Sequence, residues 1–224
     1  MNTKESILLY RYLPADSAIK AIEGKAFRVS RLRELNDPFE WVPGLDPVQP
    51  QAEDLVKWCM NRFLDEMNNV FGIISFSEEI HDSVLWGHYA DSHRGIVFEV
   101  DHILNDCLHK VTYSESRPVI DPRWIHDEQC EAKLSATFKG FWHQKSSGWA
   151  YEKERRSIAE LKDCKTTGGM FFQNIPDDFL NRVILGVRCT TGTSYIRRAL
   201  DLNGFASVEV VQASQDNKTY KIRC

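Results

Sequence analysis

The apolar positions change period repeatedly along the chain, and each change marks an expected element. Ile7 to Leu13 is rich in aromatic and branched residues and predicts a first strand, stopped by Pro14. Ala15 to Gly24 carries a stripe at Ala18, Ile19 and Ile22, with Asp16 or Ser17 as cap and Gly24 as terminator, so a short helix follows. Phe27 to Ser30 alternates as a second strand, and Arg31 to Pro50, with prolines at 38, 43, 47 and 50, reads as loop. Gln51 to Asn68 predicts a helix, with Leu55, Trp58, Cys59, Phe63 and Met67 near helical spacing. Val70 to Ser77 is a buried strand, His81 to Ala90 a helix, and Ile96 to Val100 the next strand. A short strand at Val111–Tyr113 precedes a helix over Glu128 to Gln144 carrying Leu134, Phe138, Phe141 and Trp142. Arg155–Leu161, Met170–Gln173, Val183–Cys189, Ser207–Gln212 and Tyr220–Ile222 are the remaining strands, with helices at about 177–182 and 193–202 among them.

Strands and helices are interspersed without a βαβ rhythm, and no repeat or low-complexity tract is present. The expectation is one α+β domain over residues 1–224, built on a twisted, mostly antiparallel sheet with flanking helices. No Gly-x-Gly-x-x-Gly opens a helix and no Gly-x-x-x-x-Gly-Lys-Ser/Thr occurs, which argues against a Rossmann domain and excludes a P-loop. With 42% apolar and 27% charged residues in 224, the chain is neither disordered nor fibrous. Its longest apolar runs, Val70–Ile74 and Val183–Val187, are far short of a membrane span. A net charge of -4 means that the whole surface is not built for polyanions, which leaves room for a local basic groove. The six cysteines form no Cys-x-x-Cys, and Ile7–Tyr10 is too short for a secretion signal. Reduced cysteines in a cytoplasmic protein are expected.

Several clusters are candidates for chemistry. His81, His88 and His93 lie close together but not at metal-binding spacing, so a metal-dependent hydrolase ranks last. No Gly-x-Ser-x-Gly and no activated cysteine is recognisable. Asn36-Asp37-Pro38-Phe39-Glu40 is a turn signal crowded with polar groups, preceded by Arg28, Arg31 and Arg33, which suit either phosphates or a solvated face. Glu152 and Glu154 flank Lys153 at a strand entrance, where residues two apart share a side and two carboxylates can face one cleft. A charged strand end balanced by Arg155 and Arg156 accounts for the same residues.

Three separated segments carry a resemblance. They are Leu9-Tyr10-Arg11-Tyr12, then Ser75-Phe76-Ser77 followed by a helix with Tyr89, then Tyr151-Glu152-Lys153-Glu154-Arg155. In order and context they resemble the arginine, the Ser-Thr-Ser strand and the Glu-x-Glu of ADP-ribosyltransferases of the Arg-Ser-Glu class. The wider signature adds Asn36-Asp37-Pro38-Phe39-Glu40 and Trp86-Gly87-His88-Tyr89 with His93 and Gly95. It resembles a bacterial domain-of-unknown-function family associated with phage-defence and toxin–antitoxin loci. The resemblance implies an ADP-ribosyltransferase-like fold and an NAD-dependent mono-ADP-ribosyltransferase toxin with NAD as co-substrate. RNA, single-stranded DNA or a translation protein would be its acceptor, and a cognate antitoxin its partner. It implies Glu154 on the nicotinamide ribose, Glu152 nearer the acceptor, and Arg11 on the pyrophosphate or adenosine ribose. Ser75 or Ser77 would orient the glutamate. Tyr89 would stack on nicotinamide with Phe39 or Trp86 as alternates, and Asn36 and Asp37 would be further NAD contacts. The arginines at 28, 31 and 33, with Lys145, Arg155 and Arg156, would take a nucleic-acid backbone, and Trp149 and Tyr151 an unpaired base. The competing reading is a non-catalytic module that senses a nucleotide or a phage protein.

Overall fold

A computed structural model describes residues 5–45, 50–103, 105, 107–121 and 140–224. The strands in chain order are β1 (Ser6–Leu13), β2 (Ala26–Arg31), β3 (Gly44–Leu45), β4 (Phe71–Ser77), β5 (Ile96–Ile103), β6 (Leu108–Lys110), β7 (Thr112–Ser114) and β8 (Val119–Ile120). They continue as β9 (Gln144–Ser146), β10 (Glu154–Glu160), β11 (Lys165–Thr167), β12 (Met170–Asn174), β13 (Leu180–Leu185), β14 (Glu209–Gln212), β15 (Ser214–Gln215) and β16 (Ile222–Arg223). Among the described residues the α-helices are α1 (Ala15–Gly24), α2 (Pro50–Val70), α3 (Ser83–Tyr89) and α4 (Thr193–Leu202). The fold is mixed α+β. Ten strands form one sheet in the order β11-β12-β2-β4-β1-β5-β13-β14, with β10 on β4 and β6 on β10. Most pairs are antiparallel, as the pattern implied. The exceptions are β13–β14, β3–β8 and β7–β9, which run parallel.

Strand alternation divides the apolar residues between two faces. Leu9, Phe98 and Leu185 point to a core closed by Ala18 and Ile22 of α1 and Ile196 and Leu200 of α4. Their neighbours Tyr10, Val97 and Ile184 point the other way and pack on Trp86 of α3. A third cluster joins Met60, Phe63, Leu64 and Met67 of α2 to Trp41 and Ile73. Trp58 is 58% exposed, so the inward stripe of α2 is rotated from the expected one.

The helix expected at 177–182 does not form. Phe179 N–H donates to Pro176 O at 3.1 Å, closing a turn around Asp177 and Asp178, and β13 starts at Leu180. Neither Asp16 nor Ser17 caps α1. Pro14 takes that position, its carbonyl accepting from Ala18 N–H at 3.0 Å. Most of the expected helix Glu128–Gln144 lies outside the described residues. Among the described residues no helix is long and apolar enough to cross a membrane, and Cys107, Cys164, Cys189 and Cys224 are free thiols.

Candidate functional site

The site is built on a fork in the sheet. One edge of β4 is paired with β10 from Phe71↔Glu160 to Ser77↔Glu154. The other edge is shared, with β2 pairing at Gly72 and Ile73 and β1 pairing at Ser77 alone. Between those contacts neither β1 nor β2 pairs with Ile74, Ser75 or Phe76 on that edge. Arg11 fills the fork. Its guanidinium donates to Ser75 O at 2.7 Å and Arg28 O at 3.3 Å, over the rings of Phe27 and Phe76. Buried carbonyls need donors, so the arginine has a scaffolding task here. It also has capacity left. Two of its five N–H groups are used, and its Nε is buried with no partner. Among the described residues no carboxylate neutralises it. Burial, with Arg28 adding to it, lowers its pKa to about 10, so it remains a cation at neutral pH.

A cleft of about 280 Å³ opens beside the fork, lined by Arg11, Asn36, Ser75, Ser77, Tyr89, Lys145, Glu152 and Glu154, among others. Arg11 and the two glutamates, far apart in the chain, thus share one cavity. Glu152 ends a 3-10 helix, Ser147–Glu152; Lys153 turns the chain with φ of 44°, and Glu154 opens β10. Lys145, on β9, lies between the carboxylates: its Nζ is 2.7 Å from Glu152 and 3.4 Å from Glu154, and 3.3 Å from Glu40. Arg156 contacts Glu154 at 3.0 Å and makes a short contact with Glu40. Three carboxylates and two cations therefore share a nearly dry cluster, in which all five side chains are at most 6% exposed. A network of this kind fixes side-chain positions, because each charge would be strongly destabilised alone, although Arg156 Nη1 is buried without a partner.

The same network separates the two glutamates electrostatically. Burial favours the protonated form of both. For Glu154 that is outweighed by Arg156 and Lys145 and by hydrogen bonds from Arg156 and Ser75, which hold it well below the usual carboxylate range. For Glu152 burial prevails over the pull of Lys145 and a hydrogen bond from Tyr89, and the adjacent Glu154 raises it further. One carboxylate is a fixed anion and the other can exchange a proton, the division of labour that acid–base sites use. Tyr89 donates a short hydrogen bond to Glu152 Oε1 and accepts one from Asn36 Nδ2 at 3.1 Å. Burial, then Glu152, raises the Tyr89 pKa, so it remains a phenol.

The two serines have different tasks. Ser77 Oγ donates to Glu152 O at 2.6 Å and accepts from Glu79 N–H, which ties the end of β4 to the loop carrying Glu152. Ser75 lines the cleft with Glu154 and helps to hold its carboxyl below the usual range. Three expected ligand contacts are corrected. Trp86 is fully buried, its Nε1 donating to Ile80 O at 2.7 Å and its ring edge-on to Tyr12, so it has no face for a ligand. Asp37 is 5% exposed, accepts from Phe39 N–H at 2.9 Å in an Asx turn, and lies off this cleft. Phe39 lines a separate cleft beside Arg117.

The expected basic groove is also neutralised. Arg28 and Arg31 pair with Glu34, Arg33 with Asp65, Arg155 with Glu78, and Lys145 and Arg156 lie within the buried cluster. The histidines do not converge. His81 Nδ1 bonds Ile222 O and His88 Nδ1 bonds Tyr151, and among the described residues no group of three or more metal-binding side chains forms. In the sequence Glu40 carries no assigned role, and Lys145 and Arg156 read as contacts for a nucleic-acid backbone. An acid between Phe39 and Trp41, and a lysine seven residues before a glutamate pair, were the available signals. Comparison of the chain with protein-family models, with curated proteins and with solved structures finds no match in any of the three.

Proposed function

We propose that this cleft binds NAD and that the chain is a mono-ADP-ribosyltransferase with an ADP-ribosyltransferase-like fold. The observation that carries the reading is a half-buried guanidinium, Arg11, with an unpartnered buried Nε and no carboxylate partner among the described residues, in the same cavity as a fixed carboxylate, Glu154, and a protonatable one, Glu152. A cation without a carboxylate partner suits an anionic ligand, and a pyrophosphate would bring Arg11 charge-assisted hydrogen bonds. The cleft has the volume of a nucleoside-sized group rather than of the whole dinucleotide, so the adenosine half would lie across the open mouth.

In the reaction, the bond from ribose C1′ to the nicotinamide nitrogen breaks and its electron pair neutralises the pyridinium. Positive charge develops on the ribose, where Glu154, ionised at neutral pH and held by Arg156 and Lys145, stabilises it. An oxygen or nitrogen of the acceptor then bonds to C1′, and its proton passes to ionised Glu152. Tyr89, anchored by Asn36 and Glu152, presents its ring to the nicotinamide. A toxin of this activity would require a neutralising partner protein.

Incubation with NAD and cell extract tests the reading through nicotinamide release. Wild type should release it, and Glu154→Gln should be slower by about 10²–10³-fold, the effect of removing one transition-state stabiliser. Equal release from both forms, or none from wild type, contradicts it. One observation favours a non-catalytic nucleotide sensor instead: every carboxylate oxygen of the Glu40, Glu152 and Glu154 set already has a cationic or hydrogen-bonding partner. A sensor would bind NAD and release no nicotinamide.

A further inference from the structure

The cations expected to receive nucleic acid are neutralised, but another set is not. A second cleft, of about 520 Å³, lies beside α3 and is lined by Ser83, His93, Arg188, Asp216, Lys218 and Tyr220, with Lys221 among others. Arg188, Lys218 and Lys221 are exposed, and among the described residues no carboxylate is within ion-pair distance of any of them. The one acid in the lining, Asp216, is already engaged. It accepts from Lys218 and Thr219 N–H at 2.7 and 2.8 Å and pairs with Arg223. Those bonds fix the tip of the β15–β16 hairpin, which holds out Tyr220 at 98% exposure.

The placement of these groups is built into the backbone. Asp91, Ser92 and His93 are three successive left-handed residues, with φ of 45°, 54° and 69°. Such a conformation is unfavourable for residues other than glycine. The conformation is held by a close backbone crossing. Arg188 N–H donates to His93 O at 2.9 Å, and a Cβ on Gly186 would lie 2.2 Å from that same oxygen. The hairpin is joined to the start of α3: Ile222 N–H donates to His81 O, His81 Nδ1 bonds Ile222 O, and the Lys221 and Asp82 backbones form an isolated antiparallel β-bridge. Helix α3 is seven residues long, about 10 Å, and its far end is Tyr89, in the cleft with Glu152.

We infer that the β15–β16 hairpin and Arg188 form a binding surface for single-stranded nucleic acid, which leads the acceptor along α3 to the Glu152 cleft. Three uncompensated cations match phosphates, and a fully exposed tyrosine at the tip offers a face to an unpaired base. The delivery step rests on the NAD reading, whereas the binding surface does not.

The test is fluorescence anisotropy with a 5′-labelled single-stranded RNA dodecamer. Three phosphate contacts give a slope of log affinity against log salt near −2, hence about 20-fold weaker binding at 200 mM than at 50 mM salt. Combined Arg188→Gln, Lys218→Gln and Lys221→Gln should flatten that slope and weaken binding at least about tenfold. Tyr220→Ala should weaken it roughly 5- to 100-fold and Tyr220→Phe hardly at all. Arg31→Gln with Arg33→Gln should leave affinity within about twofold, since those cations are already paired. Unchanged affinity and slope in the triple variant overturn the surface. Equal displacement by a polyglutamate peptide together with indifference to Tyr220→Ala also overturns it, by making it an acidic-protein site. Nicotinamide release without RNA should be equal in wild type and the triple variant. Should no form release nicotinamide while RNA binding follows this pattern, the cleft reading falls and the surface stands.

Discussion

Replacing Lys145 by methionine keeps the length and apolar stem of the side chain and removes the charge shared by three buried carboxylates. Nζ lies 2.7, 3.3 and 3.4 Å from Glu152, Glu40 and Glu154. At an effective dielectric of about 20 each contact is worth roughly 5 kcal/mol of gross attraction. Burying the ammonium offsets much of that sum, and breaking a buried pair by deleting one partner costs a net ~3–5 kcal/mol. For a chain of this size the expected loss in melting temperature is on the order of 10 °C. The variant also has a pH signature. The folded pKa of Glu152 is raised, so the stability linked to its proton is present at low pH and lost as pH rises through the folded value. Removing Lys145 raises that value further, so the deficit of the variant should be largest near pH 8 and should shrink toward pH 5. Urea unfolding at both pH values, compared with wild type, measures it. A loss below about 1 kcal/mol, or one equal at the two pH values, would refute the idea that these carboxylates share one dry cluster.

Other outcomes follow from the same geometry. Glu154 has a lowered folded pKa, so its contribution to wild-type stability is present above the ordinary carboxylate range and lost as pH falls below it. Glu154→Gln should therefore shallow the acid limb of a melting-temperature profile below about pH 4.3. Nicotinamide release should have an acid limb above the ordinary glutamate range, because Glu152 must be ionised to take the acceptor proton; the limb should disappear in Glu152→Gln. Trp86→Ala should destabilise by about 3–5 kcal/mol in calorimetry, because it empties a fully buried core position; a loss below about 1 kcal/mol would return Trp86 to the list of ligand contacts.

The elements legible in the sequence are those whose periodicity is decided locally. Helix α4 matches the expected 193–202, and β4 and β10 lie within a residue of their predicted starts. Residues 177–182 were misread because Val183 and Leu185 belong to a strand already begun at Leu180, and the two preceding aspartates make a turn rather than a helix start. The convergence of Arg11 with Glu152 and Glu154 in one cleft was anticipated from motif order. The engagement of these groups was not, because it depends on partners distant in the chain. Arg11 lies 64 residues from the Ser75 carbonyl and Arg156 116 from Glu40. Charge compensation was the least legible property: Arg28, Arg31 and Arg33 look like a phosphate site along the chain and are paired in three dimensions, whereas Lys218 and Lys221, unremarkable in sequence, remain unpaired beside Arg188.

The central claim is that Arg11 receives the pyrophosphate of the molecule whose ribose lies against Glu154. Calorimetric titration of NAD and of nicotinamide riboside into Glu154→Gln, with and without Arg11→Gln, addresses it directly, since the riboside has no phosphate. The account predicts that Arg11→Gln weakens NAD roughly 10- to 100-fold, as for lost charge-assisted hydrogen bonds, and leaves riboside affinity within about twofold. Equal losses for both ligands, or NAD binding indifferent to Arg11, would contradict it.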